Sequence, residues 1–571
     1  MNAFKKIAFI VLAAAVLAGT ACAPKPEPAT FVLTNGKFVT MDPAVPEAQA
    51  LAARGDKIVA VGTAKEIARY IGPETEVIDL EGKLATPGWI DSHLHFMSVG
   101  QSKLSLDLTK VKNWDEIVAM VAEAVKSTEP GIPITGRGWH QEKWDKVPEP
   151  NVNGMPVHNA LSAVSPDNPV ILTHASGHSS LANAKAMELS KITAKTPDPA
   201  GGEIIKDAKG RPIGAFLETA QGLVRFGISR AYQQRTAEER EAENRKVVEL
   251  ADRECLSKGL TSVGDAGVGW STVELYKRMI DEGKLGVRIN VMLSESAKRI
   301  EENAAAWKMS GYGADHMSVH TIKRLIDGAL GPRGAWLLEP YEDLATSTGL
   351  NTESIEVMKE TARVAIENGF QLSTHAIGDR ANRETLDIYE AAFASHPDKK
   401  DLRWRIEHAQ HLHPADTPRF GKLGVIASMQ AVHCTSDGPW VLKRLGPKRA
   451  EEGAYMWRTL IDTGAVISNG TDAPVEPVDA IPGFYSSVAR KMKDGTAFFP
   501  AQAMTREEAL KSYTLNAAFA AFEENIKGSL SVGKLADVTV LTKDIMTCPE
   551  DEIPSAEVAY TIVGGKVLYK K

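Results

Sequence analysis

Pro87-Gly88-Trp89-Ile90-Asp91-Ser92-His93-Leu94-His95 is the stretch on which the reading of this chain turns. A Pro-Gly pair opens a short, largely apolar run that predicts a strand, and the run closes on two histidines two positions apart. Residues so spaced in a strand point to the same face, so His93 and His95 can converge on one cation. The pair is weak alone: 14 histidines in 571 residues produce such spacings by chance, and His411-Leu412-His413 is a second one. Its weight comes from the pattern of residues further along the chain.

Short β-branched runs alternate with helical patterns through the middle of the sequence, the habit of βα units. Thr236 and Glu239 form a capping box, an apolar stripe runs through Val247, Val248, Leu250, Ala251, Cys255 and Leu256, and Gly259 stops the helix. Thr261-Ser262-Val263-Gly264-Asp265 then reads as a strand. In order, strands are expected to end near His95, Asp265, Leu293, Lys323 to Asp327, His375, His408, Gln430 and Asp472. Eight strands joined by helix-length segments predict an α/β fold, a (β/α)8 TIM-type barrel over residues 87–524. The interval from about 110 to 230 is too long for one crossover and reads as an insertion after the first strand, placed to cover the barrel mouth. Residues 31–86 and 525–571 alternate apolar and polar positions around turns. Neither end is long enough to bury a core alone, so together they predict one small composite β domain.

Barrel enzymes place their active residues at the C-terminal ends of the strands. His375, His408 and Asp472 each close a predicted strand, in Thr-His-Ala-Ile-Gly-Asp, Ile-Glu-His-Ala-Gln and Asn-Gly-Thr-Asp-Ala-Pro, and Lys323 lies on another. Imidazole with a carboxylate suits zinc-type metals, and five separate strands deliver this set to one rim. The alternative for Lys323 is an ion pair with Asp327 or Glu218. His411 and His413 lie beyond the strand end and read as loop residues. Cys255 reads as inert core, whereas Cys434, just past the seventh strand, is expected near the mouth and open to oxidation.

Pro87 to His95 resembles the opening signature of the metal-dependent amidohydrolase superfamily. From about residue 30 to 570 the chain is similar to its amidohydrolase-3, YtcJ-like branch, which includes N-substituted formamide deformylases. The similarity extends through Gly138-Trp139-His140-Gln141-Glu142-Lys143-Trp144, Asp327-Gly328-Ala329-Leu330-Gly331, Arg405-Ile406-Glu407-His408, Thr514-Leu515-Asn516-Ala517-Ala518 and the tail Lys527 to Asp537. The resemblance implies that His93 and His95 bind one metal and that His375, His408 and Asp472 are the ligands of the fifth, sixth and eighth strands. Lys323 matches a position that is carboxylated in many relatives and bridges two metals; without carboxylation the site holds a single metal, as in related deaminases. The implied cofactor is a divalent metal, zinc first, one or two per chain.

The implied reaction is hydrolysis of a non-peptide C–N bond in an amide, formamide, N-acyl or cyclic amide substrate. Metal-activated water attacks, and Asp472 serves as general base and then general acid. Rival readings are an esterase, lactonase or phosphotriesterase using the same water, a heterocycle deaminase, and a non-catalytic receptor. Trp139, His140, Glu142 and Trp144, with His174 and His178, are candidates to line the mouth as substrate contacts, with packing of the insertion against the barrel the favoured role for the tryptophans, and Arg333 is expected against an anionic group or a neighbouring acid. The aromatic cluster hints at an apolar or aromatic N-substituent.

Lysine and arginine total 66 against 73 acidic residues, a net charge of −7, which offers no basic face for nucleic acid. The expected partner is a small-molecule amide-type substrate, and a homodimer is the assembly to test. Four cysteines with no C-x-x-C pair exclude a disulfide scaffold. Residues 1–22 read as a signal peptide: a basic start, then an apolar run from Ile7 to Leu17 that is shorter than the roughly 20 residues a bilayer needs. Cys22, followed by a Pro-rich linker over 23–30, resembles a lipoprotein site. Gly19 departs from that pattern, and simple cleavage after Ala21 or Ala23 is the alternative. A lipid anchor in a bacterial envelope or periplasm, the only membrane contact expected, is thus favoured over free secretion.

Overall fold

A computed structural model describes residues 26–571 apart from Ser176, His178, Ala200, Gln234 and Arg235, with only the backbone of Glu142 and of residues 230–233. The expectations for the leader, for lipidation of Cys22, for His178 and for the Glu142 side chain lie outside the described residues.

Eight parallel strands form a nearly closed barrel: β1 (Trp89–Leu94), β2 (Leu260–Val268), β3 (Arg288–Leu293), β4 (Met317–Leu325), β5 (Gln371–Ala376), β6 (Arg405–His408), β7 (Ile426–Met429) and β8 (Ile467–Asn469). Every residue of β1, β3, β6 and β7 is buried, as expected for parallel strands covered on both faces. The strand ends fall close to the expected ones, except that Asp265 sits inside β2, which runs on to Val268. The capping box is present: Glu239 N donates to Thr236 Oγ1 (3.1 Å) and Thr236 N to Glu239 Oε2 (2.9 Å), opening α1 (Ala237–Ser257).

The seam between β8 and β1 is closed by the residues just past β8. Thr471 donates its hydroxyl to Asp91 Oδ2 (2.6 Å) and its N–H to both carboxylate oxygens (3.1 and 3.2 Å), while Asp472 N donates to His93 O (2.7 Å). A Cβ on Gly470 would lie 2.6 Å from His93 N, so this closure needs glycine. The first strand and the eighth-strand aspartate are therefore locked in register by the backbone itself.

The interval after β1 folds as a unit of its own. From Leu106 onward it builds a six-stranded sheet in the spatial order 202–206, 212–218, 179–182, 170–174, 134–139 and 106–107. Its cores pack around Trp114, Trp139 and Leu172 and around Met187 and Phe216. The chain ends share another core, in which Phe31, Leu33, Phe38 and Leu51 meet Leu530, Val538, Val540 and Ile562. One sheet there joins strands 47–48, 37–39 and 84–87, in that spatial order, to 538–541, 558–563 and 566–570, with 84–87 pairing antiparallel to 538–541. Arg288 on β3 fastens this β domain to the barrel through a buried two-pronged pair with Asp537 (2.8 and 3.1 Å). No described helix is long and apolar enough to cross a membrane.

Candidate active site

At the C-terminal ends of the strands lies a cavity of about 470 Å³ whose wall includes His93, His95, Lys323, His375, His408 and Asp472. β1 ends on His93-Leu94 with His95 just beyond, β4 carries Lys323, β5 His375 and β6 His408. Asp472 follows β8. Two of these positions have left-handed backbones unusual for residues other than glycine, His408 (φ +73°) and Asp472 (φ +55°). Such strain persists where the surroundings enforce it and clusters at functional sites.

The rings of His93 and His408 are each aimed by a partner. His93 Nδ1 lies 2.5 Å from Glu407 Oε2. Glu407 is itself gripped by Arg405 (2.7 and 3.0 Å) and by the Ser373 hydroxyl (2.7 Å). His408 Nδ1 donates to Gln430 Oε1 (2.6 Å), and the amide of Gln430 is oriented by its N–H donating to Ser428 O (3.3 Å). The Nε2 of His93 thus faces the cavity, 3.6 Å from Asp472 Oδ1 and 3.3 Å from Lys323 Nζ. His95 Nε2 is 3.2 Å from the same Asp472 oxygen. The His375 and His408 ring centres are 4.3 Å apart, and His375 Nε2 is 3.5 Å from Asp327 Oδ1. Asp327 accepts backbone N–H groups from Trp336, Ile377 and Gly378.

The electrostatics keep these groups ready to donate electron pairs. Burial, reinforced by Lys323, pushes His93 down to about 4, and burial also holds His408 well below the ordinary imidazole range. Burial alone would raise Asp472, but His95, His408 and His93 outweigh it and hold the carboxyl well below the usual range. Burial brings the Lys323 ammonium down to about 8 against the pull of Glu407 and Asp472. Asp472 Oδ1 is buried without a well-formed hydrogen bond. Neutral imidazoles and an ionised carboxylate turned on one cavity are the donors a zinc-type ion requires, and these residues fit one.

A model of the amidohydrolase family matches residues 76–569. The chain belongs to the amidohydrolase family. It is 31% identical over 514 residues to the YtcJ protein of Bacillus subtilis (strain 168), covering 88% of this chain and 92% of that one. It is 28% identical over 559 residues to an N-substituted formamide deformylase of Arthrobacter pascens, covering 95% and 98%. The crystal structure of a metal-dependent hydrolase from Pyrococcus furiosus superposes with a TM-score of 0.72 at 28% identity, over 90% of this chain and all of that one. The chain is therefore an amidohydrolase of the YtcJ-like branch, an enzyme of a metal-dependent family that hydrolyses carbon–nitrogen bonds.

Several expected contacts in this amidohydrolase fall elsewhere. Arg333 does not line the cavity; its guanidinium grips Asp343 with two bonds (3.1 and 2.9 Å), and Arg444 shares that carboxylate. Trp139 is fully buried in the insertion, its indole N–H donating to Leu172 O (2.8 Å), with Trp144 beside it at 6.0 Å. His140 and His174 pack against each other (4.5 Å), and His174 also packs edge-on against Trp139 (4.7 Å). The aromatic cluster is thus core, because an insertion with its own sheet needs large apolar side chains to stand alone, and its hint about the substrate goes with it. Among the described residues, Glu218 is what the insertion adds to the wall, which also includes Trp440.

Lys323 makes no ion pair with Asp327 or Glu218 among the described residues; His93 Nε2 is its hydrogen-bond partner. Cys434 is wholly buried and burial pushes its thiol up to about 12, which removes it as an oxidation site. His411 and His413 lie in the segment after β6, outside any helix or strand, as expected; His411 is buried there and His413 caps a turn by accepting Ala415 N.

Sequence reasoning passed over Glu407, Gln410, Gln430 and His433. The signal for Glu407 was present in Arg405-Ile406-Glu407-His408, yet alternation assigns neighbours 407 and 408 to opposite faces. The left-handed backbone at His408 cancels that alternation, and both side chains meet His93. His433 stands alone in its stretch of sequence and only the fold brings it to the cavity.

Proposed function

We propose that this amidohydrolase cleaves the C–N bond of a formamide, N-acyl or cyclic amide, using two zinc ions held by His93, His95, His375, His408, Asp472 and a carboxylated Lys323. The observation that carries this is the convergence of four histidines, a lysine and an aspartate on one cavity. A catalytic zinc takes about three protein ligands, so the set is large enough for two ions. Lys323 supports the bridged arrangement, because it is buried without a carboxylate partner and at about 8 part of it is the free amine that adds carbon dioxide. The formamide class is placed first because an N-substituted formamide deformylase is among the relatives.

When bound, zinc supplies Lewis acidity that polarises a carbonyl and acidifies a water molecule. Asp472 Oδ1 then takes a proton from the attacking water and passes it to the leaving nitrogen. Glu407 keeps the His93 ring from turning and fixes the proton on Nδ1, and Gln430 does the same for His408. The surrounding wall, with Leu330, Trp440 and Val475, receives the substituent on nitrogen and limits water.

The test is zinc-loaded protein against matched probes, N-formyl-4-nitroaniline and 4-nitrophenyl formate. A larger rate enhancement over the uncatalysed reaction for the anilide supports amide hydrolysis. Turnover of the ester alone supports an esterase instead, and binding of both probes without turnover supports a receptor.

A further inference from the structure

Three histidines on the cavity wall have Nδ1 engaged by a neighbour, and the chemistry of the neighbour is not the same. His93 Nδ1 faces the Glu407 carboxylate and His408 Nδ1 faces the Gln430 amide oxygen. Both neighbours accept hydrogen bonds only, so Nδ1 carries the proton and Nε2 offers a lone pair. His433 Nδ1 is met instead by Gln410 Nε2 at 2.9 Å, a donor. Nδ1 must accept there, which leaves the ring proton on Nε2.

That Nε2 is buried in a side chain only 6% exposed, and it has no hydrogen-bond partner. His433 lines the cavity together with Gln410, Asp437, Asp472 and Glu476. Asp437, Asp472 and Glu476 supply hydrogen-bond acceptors to that wall. A His433 nitrogen lies within 4.8 Å of donor atoms of His408 and Asp472, a spacing that by itself suits a third metal ligand. A protonated ring nitrogen has no lone pair with which to bind a metal.

We propose that His433 is not a metal ligand but the hydrogen-bond donor to the carbonyl oxygen of the substrate, with Gln410 as the positioning residue that sets its tautomer. This rests on the amide-hydrolysis reading above. As the water oxygen bonds to the carbonyl carbon, the C=O π pair moves onto oxygen, and the growing negative charge strengthens the bond from Nε2–H. The proton stays on His433 while the π bond breaks and while it re-forms with expulsion of the amine, so the ring neither gains nor loses charge. Asp472 keeps all proton transfer, which separates the two roles.

The experiment compares full-length zinc-loaded protein with the variants H433A and Q410M, using N-formyl-4-nitroaniline as the probe. Turnover is measured together with zinc affinity by chelator competition and with the ring-nitrogen shifts of 15N-labelled histidine. In H433A, kcat is expected to fall about 100- to 1,000-fold, with KM and zinc affinity nearly unchanged. In Q410M, kcat falls by less, KM holds, and the His433 shifts move from an Nε2–H pattern to a mixed one. A loss of zinc affinity of about tenfold or more in H433A, an Nδ1–H pattern in the parent protein, or undiminished kcat in H433A overturns the proposal. Should the parent protein leave the probe intact, the formamide assignment fails, while zinc affinity and the nitrogen shifts still decide between donor and ligand.

Discussion

His93 Nδ1 and Glu407 Oε2 lie 2.5 Å apart with both side chains wholly buried, joining the first barrel strand to the sixth directly beneath the candidate metal centre. Burial alone would raise the Glu407 carboxyl, but Arg405 and then His93 hold it well below the ordinary range. The carboxylate therefore stays ionised, fixes the proton on His93 Nδ1 and raises the basicity of the nitrogen that faces the cavity.

Replacing Glu407 by glutamine keeps the volume and removes the charge. Zinc affinity is expected to fall about 10- to 100-fold, measured by chelator competition. Unchanged affinity would detach Glu407 from the centre.

Asp472 is assigned the proton transfers, so Asp472→Asn is expected to lower kcat on the anilide probe by about 100-fold or more at saturating zinc. Full turnover in a variant that still holds zinc would remove that role from Asp472.

The Arg288–Asp537 pair ties the terminal β domain to β3, and both side chains are almost completely buried. Asp537 also accepts Gly564 N (2.8 Å). Asp537→Ala leaves a buried guanidinium uncompensated, and unfolding in denaturant is expected to show a loss of about 3–5 kcal/mol. A loss below about 1 kcal/mol, the range of surface pairs, would show that the two units do not depend on this contact.

Asp252 on α1 accepts N–H groups from Gly286 (3.0 Å) and Val287 (2.8 Å), yet burial prevails and raises its carboxyl from 3.8 to about 6. The folded state then holds this proton more tightly than the unfolded chain. Its contribution is complete below about pH 4 and is lost as pH rises through about 6. Relative to Asp252→Asn, which cannot titrate, the parent protein should lose thermal stability across that window and run level above it. Parallel melting curves at all pH values would contradict the shift.

Much of the barrel was legible because strand ends, helix caps and stop glycines mark each βα unit, as Thr236, Glu239 and Gly259 do. The candidate ligands were legible because each lies at or near the C-terminal end of a predicted strand. What escaped depends on contacts between distant segments. Glu407 is hidden by a change of backbone hand at its neighbour, and His433 acquires its place from the packing of the segment after β7. For Trp139 and Arg333 residue type left a binding role and a structural one open, and the structural one holds: Leu172 O and the Asp343 carboxylate supply their partners inside the fold.

The most direct measurement is elemental metal content per chain, after zinc reconstitution and removal of loosely held ions, beside a variant in which His93 and His95 are both alanine. About two equivalents of zinc are expected in the parent protein, with the variant losing at least one. A parent protein that retains no metal under these conditions, or a variant that retains as much as the parent, would contradict a metal centre built on these residues.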